Sequence, residues 1–322
     1  MSGLIRAALL ATLLACGWST VVYGEPYPDH FIRLVVPFPP GGATDVLGRL
    51  LAKKMSEFLG QPIVVENHGG AGGTIGTDFA ARQPADGYTI LLVSALAQAS
   101  SKKLYPTIKY DPLKSFTPIG SLGTLSYVLV VSPSVPASDL SALIRAMRSS
   151  PDSFNYASAG VGSAPHLAVE LFLRAANVKA THVPYQGSAP ALTGVAAGDT
   201  QFAIDNIAAL PLIKSGKVKA LAQTGKVRSA HLPDVPTFSE AGLPQFDVTA
   251  TWGLLAPAGV SPAIVAKLND ALQRAVADSA IRESLQAQGI APDPGSAQQF
   301  GTILASEADK WSRLIDEAKI QP

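Results

Sequence analysis

The sequence predicts an α/β protein of two domains, each a mainly parallel sheet flanked by helices. Apolar strand patterns and helical patterns alternate between residues 32 and 94 in the order β-α-β-α-β, which is typical of a parallel sheet with helices on both faces. A second series of this kind runs from about residue 126 to about residue 249. The chain has 322 residues, 47% of them hydrophobic, so it is long enough to bury two cores.

The first 24 residues predict a secretory signal peptide. Arg6 precedes the apolar run 7–15, and small residues lead to Gly24. A transmembrane anchor is the weaker alternative, because the apolar run is shorter than the roughly 20 residues that span a bilayer. A second alternative is a lipoprotein in which Cys16, the only cysteine, becomes the lipidated N-terminus. We expect export to the periplasm by either route.

The elements of the first series follow from residue type and spacing. A β-branched run bounded by proline predicts a strand at 32–37, and apolar residues three and four apart predict a helix that begins at Ala43 and ends before Gly60. Similar patterns predict strands at 63–66 and 89–94, with a helix at 74–82 between them.

The second series begins after a stretch rich in Pro, Asp and Tyr (105–118) that interrupts the alternation. We expect strands at 127–131, 154–158, 179–182, 201–205 and 218–223, and helices at 140–147, 165–176 and 189–197. Amphipathic helices at 262–277 and 298–318 are expected to pack back on the first series. This predicts a discontinuous domain 1 (25–125 plus 250–322) and an inserted domain 2 (126–249), a hinged clamshell with a ligand cleft.

Composition and motifs argue against several classes of function. With 25 basic and 24 acidic side chains, the net charge of +1 does not fit a nucleic-acid binder. The glycine-rich run 69–76 fits neither the dinucleotide fingerprint nor the P-loop, and five scattered histidines lack metal-ligand spacing. We therefore predict no cofactor, no metal and no catalysis. The enzyme alternative is a hydrolase that uses Ser163 and His166.

A glycine turn follows the first strand, where 38–45 reads Phe-Pro-Pro-Gly-Gly-Ala-Thr-Asp. Because Gly41 and Gly42 carry no side chain, an anion can approach the free N–H groups at the N-terminus of the next helix. In the alternative interpretation, this is an ordinary turn in which Thr44 or Asp45 caps the helix.

A matching turn joins the strand that ends at Ser158 to the helix after Ser163. Ser163 suits an N-cap, and Pro165 is tolerated in the first turn. A carboxylate held between two helix N-termini would need no basic side chain. His166 is either a ligand contact or structural, and Asp205, at the end of a strand, either contacts the ligand or caps the residues from Ile207 onward.

The sequence resembles the Bug-type extracytoplasmic solute receptors, the binding proteins of tripartite tricarboxylate transporters. The resemblance covers nearly the whole chain after residue 27. It rests on these ordered motifs: Val35-Val36-Pro37-Phe38-Pro39-Pro40-Gly41-Gly42, Glu66-Asn67, Asp86-Gly87-Tyr88-Thr89, Gly160-x-Gly162-Ser163-x-x-His166-Leu167, His182-Val183-Pro184-Tyr185, Pro233-Asp234-Val235-Pro236-Thr237 and Gly253-Leu254-x-Ala256-Pro257.

The resemblance implies a type II periplasmic-binding-protein (Venus flytrap) fold and a receptor for a small carboxylate: a dicarboxylate, an acidic amino acid or an aromatic carboxylate. It also implies membrane permease subunits as partners, and we expect a monomer. A ligand-sensing adaptor for a signalling partner is the alternative. The expected ligand-binding residues are Phe38, Pro40, Gly41, Gly42, Ala43, Thr44, Asp45, Ser158, Gly162, Ser163, His166 and Asp205.

Four positions depart from the family pattern. Pro39 stands where Ala is usual, Gln98 and Ser101 stand where His and Asn are frequent, and Gly194 stands where an acidic residue is common. These departures leave the two glycine turns intact. They concern the part of the cleft that would hold the far end of a ligand, so the ligand does not follow from the resemblance.

Overall fold

The computed structural model describes residues 27–41 and 43–320; the predicted signal peptide, Cys16 and Gly42 lie outside this range. The first half of the chain forms β1 (Ile32–Val36), α1 (Ala43–Leu59), β2 (Ile63–Asn67), α2 (Thr74–Ala81), β3 (Thr89–Ser94), α3 (Ala95–Leu104), β4 (Phe116–Ser126), β5 (Val128–Val131), α4 (Leu140–Ser149) and β6 (Asn155–Ser158). The second half forms α5 (Ala164–Ala176), β7 (Thr181–Pro184), α6 (Ser188–Ala197), β8 (Phe202–Asp205), α7 (Leu210–Lys214), β9 (Lys219–Gln223), β10 (Thr249–Pro257), α8 (Pro262–Ala277), α9 (Ser279–Ala287), β11 (Ile290–Gly295) and α10 (Ala297–Ala318).

These strands form two sheets with helices packed against them, which agrees with the predicted α/β fold. The six-stranded sheet has the order β11-β4-β10-β3-β1-β2, and the five-stranded sheet has the order β7-β6-β8-β5-β9. The first sheet contains strands from both ends of the described chain, and the second contains only strands from the middle. The chain passes between the two sheets along β4 and β10, which lie side by side, with Ser126 opposite Thr249.

Both sheets are mixed, so the prediction of mainly parallel sheets was wrong in this detail. The strands β1, β2 and β3 pair in parallel, as do β6, β7 and β8. However, β10 is antiparallel to β3 and β4, β11 is antiparallel to β4, and β5 is antiparallel to β8 and β9. The β4–β10 pair is antiparallel because the chain runs through β4 into the second sheet and returns along β10 in the opposite direction.

The last helix contacts both halves of the molecule. The sequence predicts that it packs on the first series, and it does lie against β4 and α3. Its C-terminal part, with Trp311, Leu314 and Ile315, belongs to the buried cluster that contains Phe172 of α5. At the same end, Arg174 of α5 pairs with the Glu317 carboxylate at 2.7 Å. Within the described residues, no helix is long and apolar enough to cross a membrane.

Candidate functional site

A cleft of about 400 Å³ separates the two sheets. Phe38 and residues of α3 line one wall, and the loop between β6 and α5 lines the other. Leu125, Asn206 and Trp252 also face a second chamber of about 410 Å³, to which Thr44 contributes. Thr44 at the N-terminus of α1 and the loop before α5 therefore line two neighbouring chambers that share Leu125, Asn206 and Trp252 as walls.

The loop before α5 presents free backbone donors to this cleft. Ser163 caps α5: its Oγ accepts a hydrogen bond from the N–H of His166 at 3.3 Å and donates one to the carbonyl of Gly160 at 2.7 Å. Among the described residues, no acceptor pairs with the backbone N–H groups of Val161 and Ala164, although both residues line the cleft. These two donors lie at the positive end of the helix dipole, so this loop favours an anion.

Two stacked histidines support the same loop from behind. The rings of His166 and His182 are 4.0 Å apart and nearly parallel. The Nδ1 atom of His166 accepts a hydrogen bond from the N–H of Gly162 at 3.0 Å, which requires this nitrogen to be unprotonated. Burial, with a smaller contribution from His182, lowers the pKa of His166 to about 4. His166 is therefore neutral at pH 7 and fixes the position of Gly162.

A second serine–histidine contact lies deeper in the protein. Ser158 Oγ is 2.6 Å from His182 Nε2 and also accepts a hydrogen bond from the N–H of Gly160 at 3.1 Å. The pair resembles a nucleophile and its base. However, Ser158 is fully buried, and His182 contacts no carboxylate within the described chain. This contact therefore holds the loop in place.

A buried carboxylate braces the first glycine turn. Asp45 accepts hydrogen bonds from the N–H of Gly41 at 3.0 Å and from the amide of Asn67 at 2.9 Å, and it pairs with Arg49. The same Asn67 amide donates to the carbonyl of Phe38 at 3.0 Å. Hydrogen bonds from Arg49 and Gly41 lower the pKa of Asp45 to about 2, so it remains ionised. Asp45 therefore ties both ends of the turn to α1 and β2.

Asp205 lies at the end of β8 and is fully buried. Its Oδ1 atom accepts hydrogen bonds from Ser188 at 2.8 Å and from the N–H of Asn206 at 2.7 Å, whereas Oδ2 has no partner among the described residues. Burial raises the pKa of Asp205 to about 6. Asn206, not Asp205, lines the cleft, and its side chain caps the short turn at Ile207–Ala209.

The structure thus separates the predicted site residues by position. Phe38, Gly162 and Ser163 line the cleft, and Thr44 lines the second chamber. The other predicted residues are buried behind the two glycine turns, are exposed beside the first turn, or are not among the described residues and side chains. Ser158, His166, Asp45 and Asp205 are buried, Pro40 and Gly41 are exposed, the side chain of Ala43 is not described, and Gly42 lies outside the described residues.

Sequence reasoning missed the wall that α3 forms. Leu96, Ala97, Ser100 and Leu104 line the cleft, and no helix was predicted there. The departures from the family pattern gave a partial signal. Ser101 does line the cleft, whereas the Gln98 side chain is buried and donates to the carbonyl of Pro112 at 2.8 Å.

Another departure, at Gly194, has a local explanation. The Tyr185 hydroxyl occupies the space that a side chain at position 194 would need. A side chain at position 194 would therefore require Tyr185 to move. In addition, the described part of the chain contains no group of three or more His, Cys, Asp or Glu residues that could hold a metal ion.

Comparisons with known proteins agree on one family. The family described as tripartite tricarboxylate transporter family receptor matches residues 47–320. Protein BugT of Bordetella pertussis is 38% identical over 307 residues, which are 95% of this chain and 94% of that protein. The fold matches the periplasmic binding protein BugD with a TM-score of 0.74 at 34% identity, covering 92% of this chain and 100% of that one.

Two further structures carry ligands. An R. palustris protein with adipate matches with a TM-score of 0.78 at 34% identity, covering 92% of this chain and 100% of that chain. MatC from Rhodopseudomonas palustris with bound malate matches with a TM-score of 0.74 at 36% identity, covering 90% and 100%. The fold that the sequence predicts, that of a two-domain periplasmic binding protein, is confirmed by these matches.

Proposed function

This chain belongs to the family of tripartite tricarboxylate transporter receptors, and on that basis we propose that it captures a small carboxylate in the cleft between its two sheets. The unpaired N–H groups of Val161 and Ala164 carry this proposal. Both residues line the cleft, Ala164 as the first residue of a 13-residue helix and Val161 in the loop just before it, where the dipole favours negative charge. The ligand carboxylate would accept hydrogen bonds from both groups.

The first glycine turn would complete the carboxylate site from the opposite wall. Asp45 keeps the Phe38–Gly41 segment attached to α1, so the turn is held in one conformation before the ligand arrives. A preorganised loop loses little conformational entropy on binding, which favours affinity. In this proposal Asp45 and His166 position the two loops, and the loop backbones contact the ligand.

We propose that the cleft closes around the ligand by a hinge at the two points where the chain crosses between the sheets. The described chain crosses between the two sheets at β4 and β10, which are neighbouring strands at the floor of the cleft. Two adjacent crossings can act as a hinge, because few backbone torsions need to change. We propose domain boundaries near residues 125 and 250 at this hinge.

We further propose that the chain is exported to the periplasm by a signal peptide at 1–24 and delivers its ligand as a monomer to membrane permease subunits. Family membership supports a transport role. The alternative is that the closed receptor contacts a signalling partner. Pull-down with and without ligand distinguishes the two, because a permease and a sensor are different membrane proteins that mass spectrometry identifies directly.

A thermal-shift panel on the protein without residues 1–24 tests carboxylate capture. The panel pairs adipate, malate and benzoate with their amides, after native mass spectrometry has shown that the protein is empty. A ligand at about 100 times its Kd stabilises the folded state by about 2.7 kcal/mol. We expect a shift with at least one acid and none with its amide. Equal shifts with acid and amide, or none in any pair, would contradict the proposal.

A further inference from the structure

The two walls of the cleft belong to different halves of the molecule. The six-stranded half comprises the residues up to 125 and from 250, with α3 and α10, and the five-stranded half comprises residues 126–249, with α5. The walls approach each other closely, because a Cβ atom on Gly162 would lie 3.1 Å from Leu104 Cδ1 of α3. Contacts between the two halves therefore determine how easily the cleft opens.

The end of the last helix, α10, is packed against both halves. Trp311, Leu314 and Ile315 are three and four residues apart, so they form one stripe along the helix, and all three are buried. The stripe belongs to a single apolar cluster that also contains Leu104 of α3 and Phe172 of α5. The end of α10 thus lies at the junction of the two halves, where it contacts a helix from each.

Two neighbouring acids lie on opposite flanks of this stripe, since successive helical residues are about 100° apart. Asp316 pairs with Lys103 of α3 at 2.6 Å, and Glu317 pairs with Arg174 of α5 at 2.7 Å. The two carboxylate side chains are equally exposed, at 59%. The Lys103–Asp316 pair lies within the six-stranded half, whereas the Arg174–Glu317 pair joins the two halves.

The Arg174–Glu317 pair lies away from the point at which the chain crosses between the sheets. Lys310 Nζ donates to the carbonyl of Asp247 at 2.6 Å, and Asp247 lies just before β10. This bond attaches α10 to the returning crossing, and Glu317 lies about 10 Å further along the helix. A rotation about the crossing displaces a distant contact more than a near one, so opening should separate Arg174 from Glu317.

We propose that the Arg174–Glu317 ion pair is a latch that holds the cleft closed. When the five-stranded half rotates away, α10 stays with the six-stranded half, against which its earlier part packs through Phe300 and Leu304. This inference rests on the proposed hinge and not on the identity of the ligand. The latch also affects affinity, because a ligand that binds one conformation has an apparent affinity reduced by the fraction of molecules in that conformation.

The latch should shift the balance between open and closed molecules without deciding it alone. An exposed ion pair changes an equilibrium by at most about fivefold, the factor that corresponds to about 1 kcal/mol. In addition, a second contact joins the halves elsewhere: His231 Nε2, in the loop after β9, lies 2.6 Å from the carbonyl oxygen of Gln286 in α9. This contact remains when the ion pair is removed.

Distance measurements between two spin labels test the latch without any ligand. Cys16 is the only cysteine and lies in the predicted signal peptide, so the chain from residue 25 can be labelled at introduced cysteines. Lys53→Cys on α1 and Lys217→Cys after α7 place one label on each half, at exposed positions. Pulsed dipolar spectroscopy then gives the distribution of distances between the labels, in which open and closed molecules differ.

Two neighbouring substitutions provide the comparison. Glu317→Gln removes the charge of the latch, and Asp316→Asn is the matched control, because it removes an equally exposed charge from the adjacent position. We expect Glu317→Gln to raise the ratio of open to closed molecules by about two- to fivefold and Asp316→Asn to leave this ratio unchanged. Equal ratios in the two variants would overturn the proposal.

Exchanging the charges distinguishes an ion pair from a general loosening of the helix end. Glu317→Lys places two cations together and should open the cleft further than Glu317→Gln does. The double variant Arg174→Glu/Glu317→Lys restores opposite charges and should return the ratio to that of the wild type. A double variant as open as Glu317→Lys alone would contradict the latch.

The same labels separate a failure of the latch from a failure of the hinge. If adipate, malate or benzoate changes the distances in the wild type but Glu317→Gln does not, the latch is wrong and the hinge stands. If neither these acids nor any variant changes the distances, the proposed hinge fails, and the latch fails with it.

Discussion

Gly162 is the position where a single methyl group should separate binding from stability. Its φ angle of 75° lies in the left-handed region that favours glycine, and its N–H is held by His166. A Cβ atom at this position would lie 3.1 Å from Leu104 Cδ1, which is on the opposite wall of the cleft. Gly162→Ala therefore strains the loop before α5 and presses it against α3.

The expected magnitude follows from these two effects. A left-handed conformation costs a non-glycine residue about 1–2 kcal/mol. In a domain of 150–250 residues, this lowers Tm by about 2–4 °C for each kcal/mol. For binding, the displaced loop weakens at least one charge-assisted hydrogen bond, and a loss of about 1.4 kcal/mol raises Kd tenfold.

The variant Gly60→Ala controls for the backbone strain that Gly162→Ala introduces. Gly60 has a similar φ of 72°, and a Cβ atom there would meet nothing within 4 Å. It follows the 17-residue helix α1, about 25 Å from the end that borders the cleft. Thermal unfolding and titration with the acid that gives the largest shift in the panel should show similar losses of Tm in both variants, and an increase in Kd only in Gly162→Ala. Equal Kd values would refute the assignment of this loop to the ligand.

Two pH-dependent predictions concern the groups behind the site, and urea unfolding between pH 4 and 7 measures both. The pKa of His166 is lowered to about 4, so protonation opposes folding, and the free energy of unfolding should fall as pH drops from 6.5 towards 4. His166→Gln should remove the contribution of His166 to this fall in the free energy of unfolding, which is about 3 kcal/mol. If the variant loses stability with pH as steeply as the wild type, the prediction for His166 is wrong. The pKa of Asp205 is raised to about 6, so its effect has the opposite sign, and stability is lost as pH rises from 3.8 to 6. Asp205→Asn should remove a loss of about 3 kcal/mol over that range, and an unchanged slope would show that Asp205 is not desolvated.

Most elements of both sheets could be predicted from the sequence because their apolar spacing is regular. The strands at Ile32–Val36 and Thr89–Ser94 and the helix at Ala43–Leu59 lie within one residue of the predicted ends, where ends were predicted. The strand β4 could not be predicted in this way. It contains Pro118, Gly120 and Gly123, residues that disfavour strands, and it is stabilised by its neighbours β10 and β11.

Of the candidate site, the sequence predicts the two glycine turns but not the α3 wall, and the reason is again the difference between local and tertiary features. Each glycine turn is a local feature of a strand, a turn and a helix start, so its chemistry is visible in a few consecutive residues. The α3 wall is not local. Its residues Ala95–Leu104 include Gln98, two serines and two lysines without a clear apolar stripe, and they form a helix in contact with α10, more than 190 residues away. Tertiary contacts of this kind override weak local preference.

The two buried titratable groups show why the pH profile of the wild-type protein is a poor guide to this site. His166 makes the fold more stable as pH rises from 4 to 6.5, whereas Asp205 makes it less stable over nearly the same range. The two shifts are similar in size, so their contributions largely cancel, and the wild-type profile should be flat from this source. Each single variant, His166→Gln or Asp205→Asn, should change the slope relative to the wild type, in opposite directions, and the double variant should restore it; His182, whose pKa burial also lowers, is present in every variant and contributes equally to each profile. Single variants with the same slope as the wild type would mean that neither group is buried in the way that the structure shows.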